Sequence, residues 1–390
     1  MRLFIAATVA TTFPALYMRW YHIQLDPRLD SMIFGLGILG AAFLLSWGAE
    51  VAQMDMSRGL ALAILALIAV LPEYAVDLYF AWVAAHDPQY IPYVTANMTG
   101  ANRLLVGGGW PFIVLLFYLK FRKKAIQLDR KNRVEIAYLT LATVYAFTIP
   151  LRHHLTLIDC VFLVGIFGAY AWRTAIMEVE EPELVGPARL IGQLPKGRRR
   201  LVTAGLFGFA GMAIFACAEP FAEALLSSGS LLGIDEYFLV QWLAPIASEA
   251  PEFIIAALWT LRGQAQAAIG ALISSKVNQW TLLVGTIPLV YSISSGEIIP
   301  MPLDARQDQE ILLTAAQSIF AVVVLMNLNL SLWEAGGLFT LFVTQLVYPE
   351  IRVEVSILYI VLAVVLLFRR THDLLPLIRE GLLFPSKSRK

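Results

Sequence analysis

Long apolar runs separated by short polar breaks dominate this chain. A bilayer core takes about 20 apolar residues per helix. On that measure candidate spans fall near 3–19, 32–54, 59–85, 91–119, 134–150 and 156–172. After a polar break come 202–226, 237–261, 266–290, 311–327, 333–348 and 353–369. The pattern predicts an all-helical integral membrane protein of about twelve transmembrane helices. Residues 3–18 follow Met1-Arg2 and read either as a signal peptide or as a first span; the lack of a small-x-small cleavage site favours the span.

The polar break divides the chain. Residues 1–31 form an N-terminal flanking helix and loop, 32–172 a first membrane repeat, and 202–350 a second. Residues 351–390 add a C-terminal helix and a basic tail. Between the halves, 173–201 carries Glu178, Glu180, Glu181 and Glu183, then Pro187, Pro195 and a basic run. It holds too little apolar sequence for a core of its own and reads as a cytoplasmic linker.

Lys and Arg set the orientation. They crowd 120–133, 189–200 and 369–390, which lie on one side if the twelve spans hold, so that side is cytoplasmic. The loops 21–31, 86–90, 151–155, 227–236 and 291–310 then face outward and carry no comparable basic excess. A plasma or inner cell membrane is the expected location.

The halves repeat. Pro72-Glu73 and Pro251-Glu252 are matching pairs whose numbers differ by 179. Gly48-Ala49-Glu50 resembles Cys217-Ala218-Glu219, Leu155–Asp159 resembles Leu330–Glu334, and Glu135 matches Glu310. Five spans, an odd number, separate each helix from its counterpart, so the second copy is inverted. Two inverted five-helix repeats with flanking helices, and a site between them at the midplane, are an architecture of secondary transporters.

Composition agrees. Of 390 residues 58% are hydrophobic and 15% charged, with mean hydropathy +0.69; a soluble domain carries about 25% charged residues. Lys plus Arg and Asp plus Glu number 29 each, so no bulk basicity points to nucleic acid. Cys160 and Cys217 are isolated and read as apolar filler. His153-His154 lacks a third ligand nearby, and Trp20, Trp110 and Trp242 read as interfacial or packing aromatics. No Walker loop, nucleophile elbow or HExxH occurs, so the sequence predicts no enzyme, no ATP-driven pump and no cofactor.

Chemistry concentrates in two stretches per half. The second half has Ala244-Pro-Ile-Ala-Ser-Glu-Ala-Pro-Glu-Phe-Ile-Ile-Ala256, and the first has Ala69-Val-Leu-Pro-Glu-Tyr-Ala-Val-Asp77. Pro72 and Pro251 each remove a backbone donor in mid-helix, which frees carbonyls for a cavity or a cation. The adjacent Glu73 and Glu252 supply hard oxygen and negative charge, as Ca²⁺ requires. Brought together without a cation they would repel in a poorly hydrated place, so a cation or a proton must occupy the site. One span later come Ala96-Asn-Met-Thr-Gly-Ala-Asn-Arg-Leu-Leu-Val-Gly107 and Gly270-Ala-Leu-Ile-Ser-Ser-Lys-Val-Asn-Gln-Trp-Thr-Leu-Leu-Val-Gly285.

With those residues in place the chain resembles the calcium/cation antiporters that include the sodium/calcium exchangers. Their two alpha repeats pair a Pro-Glu helix with a Gly-Asn-x-x-Gly-Ser-Asn-type helix ending in Leu-Leu-Val-x-Gly. The resemblance spans about residues 32–350 and marks this chain as a divergent member. It implies that Glu73 and Glu252 are the central cation, or metal, ligands, and that Ser248, Ser275 and Gln279 fall at ligand positions of the second repeat. Asn97, Gly100 and Asn102 match the first repeat's pattern. Ala69, Val70, Ala101 and Leu105 depart from it, at positions the family uses for sodium.

Arg103 and Lys276 add two positive charges, and Asp77 and Glu249 two negative ones, each acid within a helical turn of a Pro-Glu. The balance predicts internal salt bridges among the four, with direct ligation by the acids as the alternative. Arg103 and Lys276 read as structural partners of those acids, as snorkelling residues, or as tethered cations that weaken Na⁺ coupling. Glu50 and Glu219 could line an ion path or make interhelical hydrogen bonds, and Asp159, Glu334, Glu135 and Glu310 read as interfacial.

The expected function is secondary active antiport by alternating access, with Ca²⁺ exchanged for Na⁺ or H⁺. The alternatives are a Na⁺/H⁺ or other monovalent exchanger, and a non-transporting membrane scaffold or sensor that retains the fold. Inorganic cations and the lipid bilayer are the expected partners; the sequence gives no oligomeric state.

Overall fold

The computed structural model describes residues 2–52, 54–55, 71–177, 184 and 186–383. Ala69, Val70, the acidic run of the linker and the extreme basic tail lie outside them. Helices α1 (Arg2–Tyr21), α2 (Pro27–Ala52), α3 (Leu71–Ala84) and α4 (Ile91–Leu104) open the first half. A π-helical turn, Leu105–Gly109, carries α4 into α5 (Trp110–Phe121). Then come α6 (Arg133–Ala146), the short α7 (Thr148–Arg152) and α8 (Leu157–Ala175).

A short α9 (Pro187–Gly192) precedes α10 (Lys196–Leu232) and α11 (Glu236–Leu261). Helix α12 (Ala265–Asn278) passes through a second π turn, Gln279–Leu283, into α13 (Val284–Ser295). The chain ends with α14 (Ala305–Leu325), α15 (Leu332–Val347), α16 (Arg352–Arg369) and α17 (Thr371–Ile378).

Among the described residues seven helical runs are long and apolar enough to cross a membrane: 27–52, 88–121, 130–152, 157–175, 196–232, 305–325 and 349–369. Helix α11 has spanning length but carries Gln241, Glu249 and Glu252. The described helices are compatible with the twelve expected segments. The protein is an integral, multi-pass, almost entirely helical membrane protein.

Packing follows residue size. Helix α2 presents Gly35, Gly37, Gly40 and Gly48 to Phe221, Ala15, Thr11 and Phe207 in turn, so α10 and α1 lie close along it. The segment read as a signal peptide or a span is thus a helix in the bundle, with Thr12, Ala15 and Met18 buried. Two short antiparallel ladders join the halves at their loops. β1 (Ala125–Gln127) pairs with β4 (Asn329–Ser331), and β2 (His154–Leu155) pairs with β3 (Met301–Pro302).

The fold corrects one boundary. Lys196–Arg200, placed by sequence in the linker, is the first turn of α10. The helix continues past the apolar run because Arg199 has a carboxylate to hold: its Nε and Nη2 bond Asp55 at 2.7 and 2.8 Å, just beyond the end of α2.

Candidate cation site

Helix α3 starts beside a proline and sets Glu73 and Asp77 one turn apart on one face, both buried. Helix α11 contains Pro245 and Pro251, each of which deprives the carbonyl four residues earlier of its intrahelical donor. For Pro245 that carbonyl is Gln241 O, and Gly100 of α4 lies against it. A Cβ at Gly100 would fall 1.8 Å from this oxygen, so only glycine permits the approach. Helices α4 and α11, one from each half, therefore cross nearly in backbone contact, with Gln241 Nε2 donating to Thr99 Oγ1 at 3.4 Å.

The crossing gathers the carboxylates. Glu73 lies within hydrogen-bonding reach of Glu249 and feels the charges of Asp77 and Glu252. Neither oxygen of Glu73 receives a hydrogen bond from a described residue, and Oδ2 of Asp77 and Oε2 of Glu249 are likewise unpartnered. Such buried acceptors are costly unless something compensates them. Asn97 Nδ2 donates to Asp77 Oδ1 at 2.9 Å, and Gln279 Nε2 donates to Glu249 Oε1 at 2.5 Å. The amides thus orient the acids and leave the other oxygens facing inward.

Glu252 and Ser275 are half-buried, whereas Glu73, Asp77, Glu249, Asn97, Asn102, Ser248 and Gln279 are buried. The Ser275 hydroxyl approaches Glu252 without the alignment of a hydrogen bond. Ser248 Oγ turns back onto its own helix, donating to Ala244 O and Pro245 O at 3.3 Å.

The predicted salt bridges among the four added charges do not form among the described residues. Arg103 instead pairs with Glu310 at 2.5 Å, donates through Nη1 to Gln345 Oε1 at 2.5 Å, and stands 5.2 Å from the centre of the Trp242 ring. Arg352 Nε reaches the same Glu310 at 2.6 Å. Glu310, expected at the interface, is 1% exposed: α16 packs over α14 and brings Arg352 down onto it. A cavity of about 470 Å³ opens beside this network, lined by Arg103, Gln241, Trp242, Arg306, Glu310 and Arg352, away from the carboxylate cluster.

Lys276 has no carboxylate within salt-bridge distance among the described residues. Its Nζ donates to Asn102 Oδ1 at 2.7 Å and to Asn102 O at 3.2 Å, above the Trp280 ring.

Sequence reasoning passed over Gln241, Gln345 and Arg352. A glutamine four residues before a proline inside an apolar run was the available signal for the first; the other two had none. Glu219 pairs with Arg19. His153 Nδ1 meets Asp308 at 2.5 Å. Among the described residues no three His, Cys, Asp or Glu side chains are grouped to hold one metal ion, so the carboxylates of the cluster lie near one another without being drawn up around a single point. Asp159 and Glu334 close capping boxes at the starts of α8 and α15.

The model of the sodium/calcium exchanger protein family matches residues 31–175 and 202–349. Among solved structures, the crystal structure of the H⁺/Ca²⁺ exchanger CAX is 44% identical, covers 97% of each chain and superposes with a TM-score of 0.95. The Ca²⁺/H⁺ antiporter protein YfkE, at 14% identity over 89% of this chain and 98% of its own, gives 0.62. The sodium-calcium exchanger NCX_Mj, at 15% over 82% and 97%, gives 0.54. These last two speak for the fold alone. Among curated proteins no similar sequence was found.

Proposed function

We propose that this chain, which belongs to the sodium/calcium exchanger protein family, is a secondary active antiporter that moves Ca²⁺ against protons by alternating access. One observation carries the reading: Glu73, with Asp77 one turn away, stands close enough to Glu249 and Glu252 of the second half for their charges to act on it, and buried oxygens of Glu73, Asp77 and Glu249 have no described donor. Carboxylate and amide oxygens are the ligands a hard divalent cation takes. Glu73, Glu252 and Glu249 supply charge, Gln279 and Asn97 hold the acids in place, and Ser275 adds a buried hydroxyl beside Glu252.

Exchange follows from the charge. With Ca²⁺ bound, two of the negative charges are balanced. Once Ca²⁺ leaves, like charges face one another away from water, and protons relieve that repulsion without needing a coordination shell. The loaded states are the comfortable ones, so the site crosses the membrane loaded with one ion or the other. The 44% identity to a structure named as an H⁺/Ca²⁺ exchanger supports the proton as counter-ion over sodium.

The test is Ca²⁺ flux into proteoliposomes under an imposed pH gradient. The expected outcome is gradient-driven uptake that Glu73→Gln or Glu252→Gln lowers by about 100-fold, as losing one charged ligand does. Sodium flux against a pH gradient with no Ca²⁺ dependence would install monovalent exchange instead, and no flux of any cation from folded protein would leave a scaffold.

A further inference from the structure

Asn102 and Lys276 lie in the matching polar stretches of the two halves, four residues out of register by the Leu-Leu-Val-Gly endings of those stretches. Each lies three residues before the first residue of a π-helical turn, and the two residues are 174 positions apart, as are Leu105 and Gln279, where the turns begin. The fold bonds these two residues to each other. Asn102 Nδ2 donates to Met98 O at 2.8 Å, which fixes the amide so that Oδ1 faces Lys276. Lys276 Nζ then takes both Oδ1, at 2.7 Å, and the backbone carbonyl, at 3.2 Å. Trp280 covers it with its ring centre 4.7 Å away, Glu73 acts on it electrostatically, and the side chain is fully shielded from solvent.

A backbone carbonyl and an amide oxygen are hard-oxygen donors of the kind a small alkali cation takes. Here they are turned on a positive charge that the chain itself carries. Arg103 shows how a purely structural buried cation is handled in this protein: it is neutralised by an acid, Glu310. Lys276 takes neutral oxygens and leaves the carboxylates of the cluster free.

We propose that the Lys276 ammonium holds the oxygen set a sodium ion would use, which makes Lys276 the residue that keeps Na⁺ out of the exchange cycle. A mobile sodium ion could leave with the transport step and carry charge away. A tethered ammonium cannot, and protons remain as the exchanging charge. The proposal rests on the Ca²⁺/H⁺ reading and fixes its counter-ion.

The full chain in proteoliposomes tests it, with Ca²⁺ uptake measured under separate Na⁺ and pH gradients and equilibrium ²²Na⁺ binding measured alongside. Wild type should show Ca²⁺ uptake that a Na⁺ gradient leaves unchanged. Lys276→Met keeps the bulk and removes the charge, and it should bind ²²Na⁺ at least about tenfold tighter than wild type, since a unit charge a few ångströms away no longer competes. Its Ca²⁺ uptake should gain a dependence on Na⁺.

Steep Na⁺-driven uptake by wild type overturns the proposal without any variant, and so does a folded Lys276→Met with no gain in ²²Na⁺ binding. If Lys276→Met does not fold, Lys276→Gln, which keeps an N–H for Asn102, carries the same expectation. A merely structural lysine would lower every flux together and create no sodium site. Absence of Ca²⁺ flux in wild type defeats the transport reading instead, and ²²Na⁺ binding still decides the role of Lys276.

Discussion

Two groups of buried ionisable side chains in this protein are treated in opposite ways. Around Glu310, one carboxylate is shared by Arg103 and Arg352, and Gln345 and Trp242 complete the surroundings of Arg103. Around Glu73, four carboxylates have two orienting amides and a lysine bonded elsewhere. The first group balances its charge internally. The second does so only when something is added, and a protein keeps buried acceptors unsatisfied where a ligand is to satisfy them.

The sharpest way to break that comparison is to remove one acid from each group. Glu310→Gln leaves two guanidinium groups buried without a counter-charge and should cost about 3–5 kcal/mol of stability. Glu73→Gln removes one of several repelling charges and should leave thermal stability in detergent unchanged or raised, even though it stops transport. Thermal unfolding of the two variants beside wild type reads both. A Glu73→Gln protein as destabilised as Glu310→Gln would mean that the cluster is another structural network.

Much of this contrast was legible in the chain and part of it was not. The bilayer imposes helix length, so the helical architecture follows from apolar runs. A Pro-Glu pair inside such a run has no cheap structural excuse, and Glu73 lies close enough to Glu249 and Glu252 to feel their charges. The partners were illegible because they depend on which helix faces which. Glu310 lies only a turn inside α14 and reads as a span end until α16 is laid across it. Arg103 and Lys276 look alike in sequence, yet one finds an acid and the other an amide. The basic run at Lys196–Arg200 reads as linker because composition does not show that Asp55 waits beside it.

Gly100 sits between the two regions and can show whether they are coupled. Thr99 and Arg103, one turn apart, meet Gln241 and Trp242 of α11, Asn102 meets Lys276, and a methyl group at Gly100 must push α4 off α11. Gly100→Ala should cost about 1–3 kcal/mol, the usual penalty of overpacking. Because the displacement disturbs the Asn102–Lys276 and Arg103–Trp242 contacts together, Ca²⁺ flux should fall along with stability. Full flux from a destabilised Gly100→Ala would separate the two regions.

Asp55 and Arg199 supply the same two-pronged pairing that buried arginines use, at the edge of the bilayer where water can compete. The pair ties the end of α2 to the start of α10, and Asp55→Asn should lower stability several-fold less than Glu310→Gln, because an ion pair near water gains little over its separated partners. Its pH dependence has a definite sign. Hydrogen bonding from Arg199 holds the Asp55 carboxyl below its usual range. The contribution is therefore complete above the ordinary aspartate value, about 4, and is lost only as pH falls through the depressed value in the folded protein. The difference in melting temperature between wild type and Asp55→Asn should stay constant from pH 7 down to about pH 5 and vanish only in stronger acid. A difference already gone by pH 5 would show that water, and not Arg199, holds Asp55, and that pairing in this protein matters only where the bilayer excludes solvent.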